Sequence, residues 1–249
     1  MAFLAALEFL TIIPVPFRHK DDPTRAADSL VYFPVVGLII GLILSVLNWL
    51  FGLFLPQAVV NGLLIVSLVI ITGALHLDGF VDTCDGIAGH RSVEDRWRVM
   101  HDSRAGAFGI VGVVLLLLVK YISLNSLPES LLVLGLILMP VVSRWAMVYA
   151  LFAYPYAREE GLGKTFKQGA SWWRFAIATA ITLMIAIGLG WPEAGLAIML
   201  GTWAIIVIAA GYLKRKFSGL TGDTYGAINE VAEVSVLILI TLLTHNLWL

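Results

Sequence analysis

The sequence LLVLGLILMPVVSRWAMVYALFA, residues Leu131–Ala153, carries one charged side chain, Arg144, among 23 residues. A helix of this length is about 34 Å long. The hydrocarbon core of a bilayer is about 30 Å thick. We therefore predict that this segment crosses a membrane as one α-helix.

The rest of the chain has the same character. Of the 249 residues, 59% are hydrophobic and 13% are charged, whereas soluble domains carry roughly 25% charged residues. The predicted spans are Leu30–Leu55, Gln57–Leu75, Ala107–Ser126, Leu131–Ala153, Trp173–Gly190, Ala194–Leu213 and Val231–Leu249. These runs are too long and uniformly apolar for barrel strands. We predict an all-α, polytopic helical integral membrane protein, with about seven transmembrane helices in a single membrane domain, residues 1–249.

The N-terminal segment Met1–Val15 is apolar but short for a span. It lacks the basic start and the small-residue cleavage site of a signal peptide. We predict a short interfacial or re-entrant helix here.

The basic residues predict an orientation. Fourteen of the 16 Lys and Arg lie before the first span or in the connections after the second, fourth and sixth spans. The positive-inside rule places those connections in the cytoplasm and the C-terminus outside a bacterial inner membrane. Of the other two cations, Lys120 is expected to extend along its stem to the far interface. Arg144 lies deeper in a span and needs an anionic partner, which makes it a functional-site hypothesis.

Composition also excludes some classes of function. The formal net charge is −1, which argues against a nucleic-acid partner, because nucleic-acid binding favours a basic surface. The single cysteine, Cys84, excludes an intrachain disulfide and a Cys-rich metal site.

The densest polar motif is HLDGFVDTCDG, His76–Gly86, at the end of the second predicted span. Asp78, Asp82 and Asp85 are spaced i, i+4 and i+7, so a helix would place them on one face. Three like charges in register favour a bound hard cation, and Mg²⁺ in particular is held by a few carboxylates with substrate phosphates completing its shell. The alternative is a solvated turn cluster.

Two further residues of this region have open roles. His76 lies on the opposite side of a continuous helix from the acids, so ligand, base and buried histidine all remain open. Asp102, at the start of the third span, is a fourth carboxylate for the metal or a helix cap. The neighbouring Ser103 and Arg104 would contact substrate, since the guanidinium suits phosphate oxygens.

The last cytoplasmic connection holds a third polar cluster. Thr221 and Asp223 enter the last span, where free N–H groups at a helix N-terminus attract an anion. Glu230 lies inside the apolar helix and is hard to explain as a solvated residue. We predict substrate contacts at Thr221, Asp223 and Glu230. All of these clusters lie on one predicted face, which favours an enzyme over a carrier with a mid-membrane site.

The chain resembles the cobalamin 5′-phosphate synthase family, also called adenosylcobinamide-GDP ribazoletransferases. The resemblance rests on Phe9–Pro16, Tyr32–Gly37, His76–Gly86, Met100–Gly109 and Thr221–Glu230. It implies an inner-membrane, Mg²⁺-dependent enzyme that joins adenosylcobinamide-GDP to α-ribazole or its 5′-phosphate and releases GMP. It leaves open whether the protein forms a homo-oligomer or binds other enzymes of cobalamin synthesis.

These expectations combine into one mechanism. Asp78, Asp82 and Asp85, with Asp102, would hold Mg²⁺ on the diphosphate, while Arg104 and Arg144 neutralise its oxygens. A carboxylate or His76 would accept the proton of the attacking ribose hydroxyl. Asp82 is the first choice for an indispensable residue.

Two rival functions remain. A CDP-alcohol phosphotransferase shares the opening Asp82-Thr83-Cys84-Asp85-Gly86, but the Ala-Arg and the later paired aspartates of that family are missing. A cation-coupled transporter would move its substrate without releasing a nucleotide.

Overall fold

The computed structural model describes residues 1–15, 23–88, 92–102, 104–189 and 192–247. Within those residues the chain forms twelve α-helices and one short 3₁₀ helix, Leu30–Tyr32, and no strand longer than an isolated bridge. The helices are α1 Ala2–Leu10, α2 Pro23–Ser29, α3 Phe33–Gly52, α4 Gln57–Ile71, α5 Leu75–Ile87, α6 Val93–Met100, α7 Ala107–Ser126, α8 Glu129–Ala153, α9 Leu162–Gly169, α10 Trp172–Gly188, α11 Pro192–Phe217 and α12 Gly222–Leu247.

The lengths of these helices confirm the predicted class. In the described part of the chain, five helical segments are long and apolar enough to cross a membrane, or seven if the bent pairs α4–α5 and α9–α10 each count as one span. The N-terminal helix α1 has 9 residues. At about 1.5 Å per residue it is too short to cross alone, as the sequence predicted.

The second predicted span is broken. Helices α4 and α5 meet at 90°, because Gly73 and Ala74 between them both adopt left-handed backbone angles, with φ of 60° and 56°. A left-handed pair cannot continue a right-handed helix. The break lies before the acidic motif, and α5 continues through Gly79 as one helix.

Helix α8 is the centre of the bundle and packs against α3, α10, α11 and α12. Gly37 and Gly41 on α3 allow the closest of these contacts. A Cβ on Gly41 would lie 2.7 Å from the Cα of Ile137, and the backbone of Gly37 meets that of Pro140 in the same way. Small residues at this four-residue spacing let two membrane helices approach backbone to backbone.

A buried ion group, formed by Lys120, Arg144, Glu230 and Glu233, joins α7, α8 and α12. The Lys120 ammonium lies 2.8 Å from Glu230 and 2.7 Å from Glu233, and Arg144 pairs with the other oxygen of Glu233. The expectation that Lys120 reaches the far interface is therefore wrong: its side chain is 3% exposed. Buried carboxylates offer it a stronger partner than a distant water layer.

Candidate functional site

The charged end of the bundle is the end at which α5, α8 and α11 finish and α7 and α12 begin. Here α5 and α12 touch through their backbones, because Gly79 has no side chain. A Cβ on Gly79 would lie 2.7 Å from the carbonyl oxygen of Asp223. This contact brings Asp78 and Asp82, one helical turn apart on α5, beside Asp223 in the first turn of α12.

A short clip of extended chain adds a cation to these acids. Tyr156 pairs with Leu220 in a parallel bridge, fixed by hydrogen bonds of 2.8 Å from the Ala157 N–H to Leu220 and from the Leu220 N–H to Pro155. The clip leads directly to Arg158, whose guanidinium lies 3.1 Å from the Asp223 carboxylate.

Gly219 makes the clip sterically allowed. Its φ is +143°, and a Cβ there would lie 2.9 Å from the Ala157 nitrogen. Both features favour glycine.

The charges around Asp82 do not balance. The carboxylates of Asp78, Asp223 and Asp85 repel a negative charge on Asp82, and the guanidinium of Arg158 attracts it. We call Asp78, Asp82 and Asp223 the acid group. Asp78 is exposed, and Asp82 and Asp223 are half-buried, so this excess negative charge lies where a cation or a cation-bound ligand can reach it.

A cavity of about 270 Å³ opens beside the acid group. Its charged lining residues are Asp78, Asp223, Glu160 and Arg158. The opposite walls are apolar and aromatic, formed by Phe9, Phe33, Met147, Leu151, Phe166 and Tyr225 among others. The cavity therefore joins a charged side to an apolar interior.

The aromatic walls are ordered by contacts between rings. Phe9 and Phe166 lie 4.6 Å apart between centroids, and Phe33 meets Phe166 edge-on at 5.7 Å. Tyr156 stacks on Tyr225 at 6.3 Å, with the ring planes 9° apart. Burial raises the pKa of the Tyr156 phenol, which therefore stays protonated at neutral pH.

His76 lies on the wall of the same cavity, although it is on the far side of α5 from Asp82. The residue is 2% exposed, and neither ring nitrogen has a hydrogen-bond partner. The charges of Arg144 and Glu233 act on its ring. His76 thus lies between the buried ion group and the cavity, with unused hydrogen-bonding capacity.

Asp85 has a different environment from the other acids of its motif. Its two carboxylate oxygens accept hydrogen bonds from the Gly106 N–H at 2.7 Å and the Gly109 N–H at 2.8 Å. Asp85 therefore caps the N-terminus of α7 from a neighbouring helix. Helix capping was the alternative role predicted for Asp102, and the structure shows Asp85 in that role at α7.

Asp102 and Arg104 form an exposed pair. The Arg104 side chain bonds both Asp102 oxygens, at 3.0 and 2.7 Å, and is 86% exposed. The side-chain hydrogen bonds from Arg104, with its backbone N–H, lower the pKa of Asp102 to about 2. Ser103, the third predicted residue here, lies outside the described residues.

Three predicted substrate contacts are engaged within the protein. Thr221 is fully buried and caps α12, since its hydroxyl accepts from the Thr224 N–H while its own N–H donates to Thr224 at 2.7 Å. This is a reciprocal capping arrangement. Arg144 and Glu230 belong to the buried ion group, and Arg144 is 0% exposed. The structure brings Asp78, Asp82, Asp223 and His76 to the cavity region, and not these three.

The predicted four-carboxylate metal cage is not formed. Among the described residues, no three His, Cys, Asp or Glu side chains converge closely enough to hold one metal ion. Asp85 is bonded to backbone amides and Asp102 to Arg104. What remains on α5 is the pair Asp78 and Asp82, a donor set of the kind that Mg²⁺ uses when phosphate oxygens complete its shell.

Sequence reasoning did not single out Arg158, Tyr156, Tyr225 or the pairing of Lys120. The sequence shows Arg158 as one of the basic residues of its connection, at the start of a loop, residues 158–164, that does not match a phosphate-loop motif. Its contact with Asp223 depends on the clip between residues 155–157 and 218–220. No local pattern signals that contact, because the two segments are distant in sequence.

Fold and site together define a multi-pass helical membrane protein with a cavity lined partly by acids at one end of the bundle. Comparison with known proteins gives the family. The model of the protein family described as cobalamin-5-phosphate synthase matches residues 2–241. This chain belongs to that family. It is therefore an enzyme, a transferase of cobalamin biosynthesis.

Its relatives are similar over nearly their whole length. A protein of Synechococcus elongatus named adenosylcobinamide-GDP ribazoletransferase is 40% identical over 245 residues, which cover 96% of this chain and 95% of the relative. Proteins with the same name from Geotalea daltonii and a Roseiflexus species are each 38% identical over 237 residues, covering 93% and 95% of this chain and 93% and 88% of the relatives. No solved structure matches the chain.

Proposed function

We propose that this protein is an Mg²⁺-dependent adenosylcobinamide-GDP ribazoletransferase. It joins adenosylcobinamide-GDP to α-ribazole, or to its 5′-phosphate, to give adenosylcobalamin or its 5′-phosphate and GMP. The names of the relatives support the reaction. The acid group beside a cavity supports the metal dependence.

One observation carries the proposal: the acid group gathers more negative charge than Arg158 can balance. Asp78 and Asp82 lie on one face of α5, and Asp223 faces them from α12. A diphosphate is itself an anion and would be repelled from this site without a divalent cation. Two carboxylates plus phosphate oxygens form an ordinary Mg²⁺ shell.

Asp78 and Asp82 would hold the ion in this proposal. When bound, Mg²⁺ neutralises the diphosphate and polarises the phosphorus that is attacked. Arg158, on the polar side of the cavity, is placed to contact a non-bridging phosphate oxygen. Arg104 is an exposed second guanidinium for the same substrate.

The bond changes balance without a further reactant. The oxygen of a ribose hydroxyl forms a bond to the phosphorus that carries the cobinamide. The anhydride bond to the guanosine phosphate breaks, and GMP leaves with that electron pair. The hydroxyl proton passes to a carboxylate that lines the cavity, and we assign this role to Asp223 or Asp78.

We also propose that the charged end faces the cytoplasm of a bacterial inner membrane, with the C-terminus outside. The sequence pattern, in which 14 of the 16 Lys and Arg lie on one side of the predicted spans, supports the orientation. Nucleotide substrates are available on that face.

The experiment is an assay of the purified protein in detergent or liposomes. We expect adenosylcobinamide-GDP and α-ribazole to yield GMP with Mg²⁺, and no GMP after chelation with EDTA. GMP release that persists in EDTA would contradict the metal dependence. Flux of substrate into sealed vesicles without GMP, or release of CMP from a CDP-alcohol, would replace the proposed reaction with a rival one.

A further inference from the structure

A second concave surface, a groove of about 280 Å³, lies between α8, α10 and α11. Helices α8 and α11 are long and apolar enough to cross a membrane, and the bent pair α9–α10 passes the same test as one span. The groove therefore opens into the hydrocarbon layer around these helices. Its lining includes Trp145 from α8, Thr179 and Leu183 from α10, and Leu196, Leu200 and Trp203 from α11.

The polar atoms in the groove wall are already paired. The indole N–H of Trp145 donates to the hydroxyl of Thr179 at 2.9 Å, and that hydroxyl donates to the carbonyl oxygen of Phe175 at 2.8 Å. A ligand in the groove thus gains contact with apolar side chains and has no hydrogen bond to make. The acyl chain of a lipid, which is as apolar as leucine, fits this requirement.

A cation lies near the end of α8. The ammonium of Lys167, on α9, donates to the carbonyl oxygens of Leu151 at 2.8 Å and Phe152 at 3.1 Å. These carbonyls belong to the last turn of α8 and have no partner within that helix. A carbonyl does not neutralise a charge, and within the described ranges no Asp or Glu forms an ion pair with Lys167.

The helix geometry places this cation at the level of the lipid headgroups. Because α9 meets α10 at 91°, it lies along the membrane surface where α10 crosses. At 1.5 Å per residue, Thr179 lies about 10 Å below Trp172, and Trp145 about 10 Å below Phe152. The headgroup layer is roughly 5–8 Å thick on each side of the hydrocarbon core. Lys167 therefore meets headgroups, and the groove meets acyl chains.

Stacked aromatic rings connect the two levels. Phe152 stacks on Phe175 with centroids 5.1 Å apart and ring planes 6° apart, and Phe175 stacks on Trp145 at 6.3 Å. An apolar surface thus runs from the carbonyls that Lys167 binds to the wall of the groove.

We propose that this surface binds one anionic phospholipid, with its phosphate at Lys167 and one acyl chain in the groove. The negative phosphate supplies the counter-charge that Lys167 lacks, and the chain fills an apolar concave site. A second copy of the protein is the alternative occupant. It would cover Lys167 without an anion, and a covered charge without a partner is costly.

One pair of variants tests the chain site. Leu200 lies on the rim of the groove and is 54% exposed, so Leu200→Trp fills the groove without displacing a buried side chain. Ile208→Trp is the matched control, because Ile208 is also on α11, is 74% exposed and does not line the groove.

A second set tests the phosphate site. Lys167→Gln keeps an N–H donor for the carbonyls of α8 and removes the charge, and Lys167→Arg keeps the charge. Lys164→Gln is the matched control, since it removes one cation from the same helix, where Lys164 bonds to the carbonyl of Glu159.

The measurement is native mass spectrometry of delipidated protein, without substrate or Mg²⁺, titrated with phosphatidylglycerol or with phosphatidylcholine of identical chains. We expect wild type to bind one phosphatidylglycerol about fivefold more tightly than phosphatidylcholine. Lys167→Gln should bind the two lipids within about twofold of each other, whereas Lys167→Arg and Lys164→Gln should keep the preference. Leu200→Trp should bind both lipids about tenfold more weakly, and Ile208→Trp should bind as wild type does.

The contrary results are equally specific. Equal affinity of wild type for the two lipids, or the same loss in Lys164→Gln as in Lys167→Gln, overturns the phosphate site. Unaltered lipid binding in Leu200→Trp overturns the chain site. A lipid-free dimer of wild type that becomes a monomer in Leu200→Trp assigns the groove to a second copy.

The thermal midpoint in detergent provides a second readout and shows whether each variant folds. A ligand that binds only the folded state raises this midpoint. Phosphatidylglycerol should therefore raise it in wild type and Ile208→Trp, and by less in Leu200→Trp. An equal rise in all three proteins would contradict the proposed site.

Discussion

The molecule contains two groups of charged side chains with opposite designs. In the buried ion group every charge has a partner: Lys120 and Arg144 meet Glu230 and Glu233, and Glu233 contacts both cations. In the acid group, Asp78, Asp82 and Asp223 share the single guanidinium of Arg158 in the described part of the chain. Helix α12 contributes residues to both groups: Glu230 and Glu233 to the buried ion group, and Asp223 to the acid group.

The difference follows from where each group lies. An unpaired charge deep in a membrane bundle costs several kcal/mol, so only a balanced set can remain there. Near the open end of the bundle, water lowers that cost, and an excess of one sign persists until a ligand supplies the other. The balanced group therefore stabilises the fold, and the unbalanced group is the one to which we assign ligand binding in the proposed function.

The largest expected effect comes from unbalancing the buried ion group. Glu233→Gln removes the carboxylate that bridges Lys120 and Arg144, leaving two buried cations with one carboxylate. Breaking a buried pair in this way costs about 3–5 kcal/mol. We expect little folded protein, measured as the yield of monodisperse protein in detergent and its thermal midpoint.

The control for that prediction keeps the charges equal. Lys120→Met combined with Glu230→Gln removes one charge of each sign and leaves Arg144 paired with Glu233. This double variant should be more stable than Glu233→Gln. If the two are equally stable, charge balance is not what holds α7, α8 and α12 together.

The next effect concerns the acid group. Asp82→Asn keeps the size of the side chain and removes one of three repelling charges, so the thermal midpoint should be unchanged or higher. GMP release at saturating Mg²⁺ and substrate should fall by about 100-fold or more, since a charge that acts on the transition state is lost. Glu94→Gln, an exposed acid on α6, is the control. Wild-type turnover in Asp82→Asn would refute the proposed metal site.

A substitution of Asp85 tests whether this residue caps α7 or belongs to the proposed metal site. Asp85→Ala deprives the Gly106 and Gly109 N–H groups of their acceptor. The loss of such a cap lowers the free energy of unfolding by roughly 1–2 kcal/mol, measured by chemical or thermal denaturation. Asp85→Asn retains one acceptor and should lose less. If the variants lose activity but not stability, Asp85 is a metal ligand, as the sequence predicted, and not a structural cap.

The smallest effect is expected at Asp102. Its carboxyl has a pKa of about 2, so it stays ionised above about pH 3 and contributes no change of charge to a pH–rate profile between pH 5 and 9. Asp102→Asn should leave both that profile and the thermal midpoint unchanged, because the pair with Arg104 is exposed. A shifted profile would show that Asp102 belongs with the acid group.

Helix α5 shows what the spacing of residues in the sequence can predict about the site and what it cannot. The i, i+4 spacing of Asp78 and Asp82 correctly predicted one helix face, since side-chain direction follows from local helix geometry. The same argument grouped Asp85 with them. It could not detect that the N-terminus of α7 supplies two N–H groups to Asp85, because that partner comes from a helix that begins 22 residues later.

The sequence alone was enough to identify a multi-pass helical membrane protein, since that class depends on the length and number of apolar runs, which are local properties. The orientation read from the distribution of Lys and Arg stays a prediction. The sequence also marked the acids on α5. The pairing of the charged side chains became visible only in the folded structure. Lys120 binds Glu230 and Glu233 more than 100 residues away, and Arg158 reaches Asp223 through a clip between two connections. Coulombic and hydrogen-bond energies act over a few ångströms of space, and separation along the chain does not reveal them.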